Sequence, residues 1–393
     1  MKKITISLML VCVILVASIV PAAAAEKKAE LRFGEDGEFN ILHICDCQDE
    51  FPAEEKMFTY INYMLDTYKP DLVVLGGDNS VASLETKDDA IKELVAPYVE
   101  HETYFTLVFG NHDHEQGVDK EELLKMYQKH GGKYCLAYDA DPDLTGVATH
   151  NLPIYSSDGD KIKFNLWLMD SNHYVDDENG ERIGYDSVRE DQIEWYKDTY
   201  KRLEKEAGEK VYSLCFQHII PGEVYEVMFP EVKKPLPPLT ETYNNGKHYP
   251  IIFPDTSKFT GHLFENPSPG PINYGQVDAM LETGDVLSLL VGHDHICSYE
   301  IDYEGIKFIN TPGVTFHSYG NEMVRGSRLI TIKEDAPDTF ESEVITVNEV
   351  AYENEEFREA MGISKLKAGF WILVDKVLLG LAKASGYVAK IIY

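Results

Sequence analysis

The feature that most constrains this chain is a repeated local pattern. Short apolar runs, each closed by residues able to ligate a metal, alternate with segments of helical periodicity. Phe39–Cys45 ends in Asp46-Cys47-Gln48, Asp71–Leu75 in Gly76-Gly77-Asp78, and Tyr104–Phe109 in Gly110-Asn111-His112-Asp113. Val211–Phe216 ends in Gln217-His218, and Val286–Val291 in Gly292-His293-Asp294-His295. Further strand-like runs lie at Phe164–Met169, Ser298–Tyr303, Lys307–Asn310, Arg328–Ile332 and Glu343–Val347. Met57, Ile61, Leu65 and Tyr68 recur at helical spacing, and helical pattern returns near Leu84–Val99, Glu121–His130 and Asp191–Lys205. This alternation predicts an α/β chain with a mainly parallel inner sheet. Ligands of such sheets collect at the carboxyl ends of the strands. Asp46, Gln48, Asp78, Asn111, His218, His293 and His295 are therefore expected in one place. In extended backbone, residues two apart point to one side, which would aim Asp46 with Gln48, and His293 with His295.

Two Asp, one Asn, one Gln and three His can hold two divalent ions with one carboxylate between them. Two ions about 3.5–4 Å apart suit in-line displacement at phosphorus, because they stabilise the attacking and leaving oxygens together. Each piece alone is weak, since Asp-x-Gln and Gly-Gly-Asp are common in turns and a strand-end His is usually structural; the signal is their succession. The chain has no Gly-x-Ser-x-Gly elbow and no Gly-rich P-loop, so serine-hydrolase and nucleotide-binding chemistry lack their residues. Its 36 basic and 67 acidic residues give a net charge of −31. Such a surface repels nucleic-acid phosphates, which are bound through Lys and Arg displacing counterions, so no nucleic-acid partner is expected.

The series Asp46-x-Gln48, Gly77-Asp78, Gly110-Asn111-His112-Asp113, His218 and Gly292-His293-x-His295 resembles the calcineurin-like metallophosphoesterase superfamily. Leu168-Met169-Asp170-Ser171, Asp191-Gln192-Ile193-Glu194-Trp195, His218-Ile219-Ile220-Pro221 and Arg325-Gly326-Ser327-Arg328 are similar to its bacterial and fungal purple-acid-phosphatase-like branch. The resemblance spans roughly residues 39–335 and is weakest over 231–265. It implies a four-layer α/β/β/α sandwich with two facing mixed β-sheets. It further implies one metal on Asp46, Gln48, Asp78 and His295, and a second on Asp78, Asn111, His218 and His293, with a bridging hydroxide as nucleophile. His112 corresponds to the family's non-ligand histidine, which stabilises phosphoryl oxygens or protonates the leaving group. Asp113 is expected to hydrogen-bond His112 and fix its tautomer. His114 is expected beside the site or at the surface.

Two departures bear on the metals. The first motif commonly offers Asp-x-His, and Gln48 replaces that imidazole with a neutral, harder amide oxygen. Val81 stands where a purple phosphatase has its iron-binding Tyr. The two ions are thus drawn from Mn, Fe, Zn and Mg.

Residues 1–25 read as a secretory signal peptide, with Lys2 and Lys3, an apolar Ile4–Val20 and Ala23-Ala24-Ala25 before Glu26. A secreted or cell-surface location follows. Cys12 leaves with that leader, and five cysteines (Cys45, Cys47, Cys135, Cys215, Cys297) remain, an odd number that argues against a disulfide framework. Residues 26–350 are expected to form the metallophosphoesterase domain, with 231–275, rich in Pro, Gly, Asn and Thr, as a variable insertion near the site. Residues 351–393 form a basic, amphipathic helical tail. At about 100° per residue, Leu366, Phe370, Leu373, Val377, Leu381, Ala384 and Val388 share one face, with Lys365, Lys376, Lys383 and Lys390 beside it. Such a helix either lies in a membrane interface or docks on the protein's own core or in a dimer.

The reading is an exported phosphatase for a phosphorylated small molecule, protein or lipid headgroup. Its alternatives are a phosphodiesterase for a cyclic nucleotide or glycerophosphodiester, and a metal-binding surface module with little catalysis. Replacing Gln48→His should retain a two-metal site and shift its preference toward Zn or Fe. Metal analysis after competitive loading checks this, and identical metal ratios would show that Gln48 is not a ligand.

Overall fold

The computed structural model describes residues 29–250 and 254–392, with side chains to Leu381 in the last helix. The expected signal peptide lies outside the described residues. Two sheets face each other. The five-stranded sheet runs Phe340–Thr346, Gly326–Lys333, Glu38–Ile44, Leu72–Gly76, Tyr104–Val108 from edge to edge. The eight-stranded sheet runs Leu31–Arg32, His150–Tyr155, Ile162–Leu168, Tyr212–Phe216, Val286–Val291, Ile306–Asn310, Glu300–Tyr303, Phe259–Thr260. In the order given, the first two pairs of the five-stranded sheet are antiparallel and the last two parallel; in the eight-stranded sheet the three central pairs and the first edge pair are parallel and the other three antiparallel. Both sheets are therefore mixed, as the resemblance implies.

Three cores make four layers. Between the sheets, Phe39, Ile41, Leu72, Val74 and Ile330 meet Phe164, Leu166, Leu214, Phe216 and Leu290. On the outer face of the five-stranded sheet, Leu42, Ile44, Val73 and Leu75 pack under Met57, Ile61, Leu94 and Leu123 from the helices Glu55–Tyr68, Lys87–Glu100 and Lys120–Gly131. On the outer face of the other sheet, Trp167, Cys215 and Leu289 pack under Tyr196, Val224 and Met280 from Glu190–Ala207, Glu223–Met228 and Gln276–Thr283. Inner strands covered on both faces become nearly all apolar, which is why Leu72–Gly76 and Val286–Val291 are conspicuous in the sequence.

Some elements carry no such signature. The hairpin Tyr174–Asp176 with Arg182–Tyr185 is held by ring contacts, Tyr174 stacking on Tyr185 at 5.5 Å and the Arg182 guanidinium lying 3.6 Å above the Tyr174 ring. No apolar alternation marks it. The segment 231–275 contains the short antiparallel pair Thr240–Tyr243 and Lys247–Pro250 and the edge strand Phe259–Thr260. At the other end, Thr346 accepts from Glu349 N and caps a helix over Val347–Glu353. Residue 351 thus falls inside an element rather than between two. Ala351, Phe357, Met361 and Ala368 belong to the helix-covered core.

Candidate metal centre

Every strand-end residue singled out in the sequence comes to one end of the facing sheets, though not by strand alternation. Asp46, Gln48, Asp78 and His293 all have left-handed backbone, with φ of 52°, 39°, 51° and 71°. The expectation that these pairs converge through extended backbone is corrected: the chain has left the strand and turns sharply at these four residues. Non-glycine residues in this region store about 1–3 kcal/mol each and persist only where the surroundings hold them.

What holds them is visible around Asp78. Gly77 has φ 93°, and a Cβ there would stand 2.5 Å from His218 Nδ1. A Cβ on Gly110 would overlap the Asp78 carboxylate. These two glycines let three loops close on one another. The buried Asp113 then ties them: its carboxylate accepts from the backbone N–H of Asp78 (2.9 Å), Asn79 (2.8 Å), Ser80 (3.3 Å) and Gly110 (2.7 Å). Asp113 therefore does not serve His112 as expected. Its short side chain points back under the Asp78 loop, and the partner of His112 is Glu115, whose Oε2 lies 2.5 Å from Nδ1.

The donor atoms fall into two groups. Asp78, His218 and His293 offer ligand atoms within 4.8 Å of one another, and so do Asp46, Asp78 and His295. Asp78 belongs to both. Gln48 Oε1, Asn111 Oδ1 and His293 Nε2 are buried and have no hydrogen-bond partner, while Asp78 Oδ2 and His218 Nε2 face each other as an ion pair at 3.2 Å. Unsatisfied buried polar atoms are costly, about 1–3 kcal/mol each, and these three, beside the Asp78–His218 pair, fit the ligand sphere of two cations. The remaining atoms of these groups are spoken for. His218 Nδ1 bonds Gly76 O at 2.9 Å and His295 Nδ1 bonds Tyr319 O at 3.0 Å, which turns each Nε2 inward, to 3.2 Å from Asp78 Oδ2 and 3.5 Å from Asp46 Oδ1 respectively. The Asn111 amide donates to Tyr174 O–H at 3.3 Å, and Asp78 Oδ1 accepts from His112 N at 2.7 Å.

Charge follows the same geometry. Burial resists a proton on His218, but Asp78 and Asp46 outweigh it and push its pKa up to about 10. Burial works against the Asp78 carboxylate, yet His218 and His112 hold its pKa well below the usual range. His293, buried and beside His218, drops to about 3 and is held neutral. Burial also lowers His112, but Asp78 and Glu115 win and leave it raised. An imidazolium is thus favoured at the mouth of the site. His114 packs on His173 at 4.4 Å, and burial with Lys120 lowers it to about 4.

A cleft of about 460 Å³ opens over these groups, lined by Gln48, Asp78, His112, His293 and His295 together with Tyr185, His317 and Tyr319. Tyr319 stacks on His295 with ring centroids 4.2 Å apart, and Tyr185 meets His293 edge-on at 4.4 Å. Sequence reasoning missed Glu115, Tyr174, Tyr185 and Tyr319. Glu115 was open to it, as an acid three residues after His112 in one turn; the tyrosines stand in segments without periodicity. The segment 231–275 does reach the site: Glu265 accepts from Ile296 N (3.1 Å) and from Tyr319 O–H.

Comparison with known proteins agrees with this geometry. The family model described as calcineurin-like phosphoesterase matches residues 39–297. A protein of Arabidopsis thaliana named "Probable inactive purple acid phosphatase 14" is 28% identical over 318 residues, covering 75% of this chain and 74% of its own. "Phosphatase DCR2" of Saccharomyces cerevisiae is 26% identical over 210 residues, 47% of this chain and 35% of that protein. A dimetal phosphatase from Danio rerio of known structure is 14% identical over 78% of this chain and 98% of its own, with a TM-score of 0.42.

The Asp113 hub gives a direct test. Asp113→Asn places an amide donor against backbone donors and should destabilise the chain by about 3 kcal/mol. Bound metal should fall with it, because the Asp78 loop loses its tie. Thermal unfolding with metal analysis checks this, and an unchanged melting temperature with full metal content would contradict it.

Proposed function

The chain belongs to the calcineurin-like phosphoesterase family, and from that premise we propose that it is an exported, two-metal phosphomonoesterase. The observation that carries the reading is the pair of buried Asp and His groups that share Asp78, with the unpartnered Gln48 Oε1, Asn111 Oδ1 and His293 Nε2 beside them and His112 at the same cleft. The Arabidopsis relative bears the name "Probable inactive purple acid phosphatase 14"; here Asp46, Gln48, Asp78, Asn111, His218, His293 and His295 are all present, with His112.

Asp46, Gln48, Asp78 and His295 would hold one divalent ion and Asp78, Asn111, His218 and His293 a second; bound there, they would supply Lewis acidity and lower the pKa of a water. The rest is done by the chain's own residues. Asp78 and Asp46 offset cationic charge in a buried site. His218 and His295, fixed by backbone carbonyls, present Nε2 without the cost of reorienting a ring. Glu115 accepts from His112 Nδ1 and holds the imidazolium, so His112 is poised to bind a phosphoryl oxygen or donate its proton to the departing alkoxide. Tyr185 and Tyr319 form apolar walls beside the ligand histidines. The substrate class is a phosphorylated small molecule, protein or lipid headgroup. Export rests on Lys2, Lys3, the apolar Ile4–Val20 and Ala23-Ala24-Ala25.

Hydrolysis of an aryl phosphate and a bis-aryl phosphate, with Mn and with chelator, tests the assignment. Monoester turnover that the chelator abolishes is expected, and no turnover of either ester in the metal-loaded chain would overturn it. Asp78→Ala should lose metal and activity together. His112→Ala should keep its metal and lose about 10²–10⁴-fold in turnover; loss of metal in this variant would contradict its role. Glu115→Gln removes a group that raises the His112 pKa, so the protonated acid is lost at lower pH. The alkaline limb of the pH–kcat profile should therefore move down in pH, and an unmoved limb would show that Glu115 does not act through His112.

A further inference from the structure

The C-terminal helix spans Lys365–Ile392, 28 residues or about 42 Å at 1.5 Å per residue. It is docked on the body along one side. Ala368 is fully buried in the helix-covered core, Trp371, Ile372 and Leu379 line a groove against Thr346 and Glu349, and Asp375 Oδ1 lies 2.5 Å from His262 Nε2. Lys367 pairs with Glu322 at 3.2 Å. The single acid of the tail, which interrupts its apolar run in the sequence, thus faces inward and is paired.

The opposite side is left uncovered. Leu366, Phe370, Leu373, Val377 and Leu381 are between 52% and 85% exposed, and at about 100° per residue they form one continuous row. Lys365 and Lys376 lie along one flank and Lys367 along the other, all exposed. A docked helix whose apolar row faces solvent differs from a surface helix of a monomer, which turns that row to the core. A large exposed apolar patch rimmed by polar residues marks an interaction surface.

We infer that this row is the chain's contact with an anionic lipid surface, on which the helix lies flat. Charge selects that occupant. Residues 361–393 carry five lysines and one Asp, a net +4 within a chain of −31; with Lys2 and Lys3 also set apart, residues 26–360 carry −37. The body is repelled by anionic lipid, so the basic helix is the face that approaches it. Lysines flanking an apolar row bury their stems against the acyl boundary and place their ammonium groups among the headgroups. A second copy set row to row would bring two lysine-flanked helices together instead. Among the described residues no helix is long and apolar enough to cross a membrane, so the contact is one of lying on the surface. Docking on the body fixes which side of the protein meets the bilayer.

The test is co-sedimentation of the purified full chain with phosphatidylcholine vesicles, with and without about one third phosphatidylglycerol. Binding to the anionic vesicles should be tighter by roughly tenfold or more, given the added attraction of each lysine near the surface, and should weaken with salt. The variant Leu366→Ser/Phe370→Ser/Leu373→Ser/Val377→Ser should lose binding while keeping the melting temperature and aryl-phosphate turnover, because the row touches neither core nor cleft. Lys365→Glu/Lys376→Glu should lose the preference for phosphatidylglycerol. A full chain that stays in the supernatant with anionic vesicles overturns the inference, as does a serine variant that binds them as well as the parent. If the parent is a dimer that the serine variant dissociates, the row belongs to a second copy and the inference also fails.

Discussion

Four backbone N–H groups converge on the Asp113 carboxylate, and the rest of the site is arranged around that convergence. It joins the loop after Leu72–Gly76 to the loop after Tyr104–Val108, two neighbouring parallel strands. With those loops locked, Asp78 sits at φ 51° with one carboxylate oxygen held by His112 N and the other aimed at both histidine groups. Backbone strain of this kind is stored where function needs geometry that relaxed chain would not adopt. The four-layer sandwich supplies the rigidity that keeps it, with inner strands anchored by apolar packing on both faces.

In this cluster the two buried carboxylates, Asp46 and Asp78, oppose each other, while the histidines beside them attract both. Asp46, buried beside Asp78, is pushed up to about 6 chiefly by burial, and the facing histidines only partly relieve it. Histidine ligands must give up protons to bind metal, and the one on His218 is held firmly by the same carboxylates. Two cations resolve both problems. The −31 of the whole chain adds a background that favours cations and disfavours nucleic acid.

The sequence was most readable where burial on both faces turns inner strands into unbroken apolar runs, as at Leu72–Gly76 and Val286–Val291. Because each such run is followed by an Asp or His of the cluster, the residues that come together were legible with the strands. The route by which they converge was not. Alternation along a strand would aim Asp46 with Gln48, whereas the chain uses left-handed turns whose stability comes from contacts distant in sequence. Asp113 illustrates the same limit: proximity to His112 suggested a pair, and the tertiary structure gave its oxygens to four backbone donors. The Tyr174–Tyr185 hairpin escaped because rings and one guanidinium hold it. In the tail, helical periodicity identified the row from Leu366 to Leu381 but could not say that the opposite side, with Asp375 and Ile372, meets the body.

The central claim is that Asp78 is shared by two ions in one cluster. Electron paramagnetic resonance of the manganese-loaded chain measures this most directly, together with the number of ions bound. Two ions per chain with a spin-coupled signal are predicted, since a bridging carboxylate brings the ions close enough to interact. One ion per chain, or two that give only the signal of isolated manganese, would contradict the account.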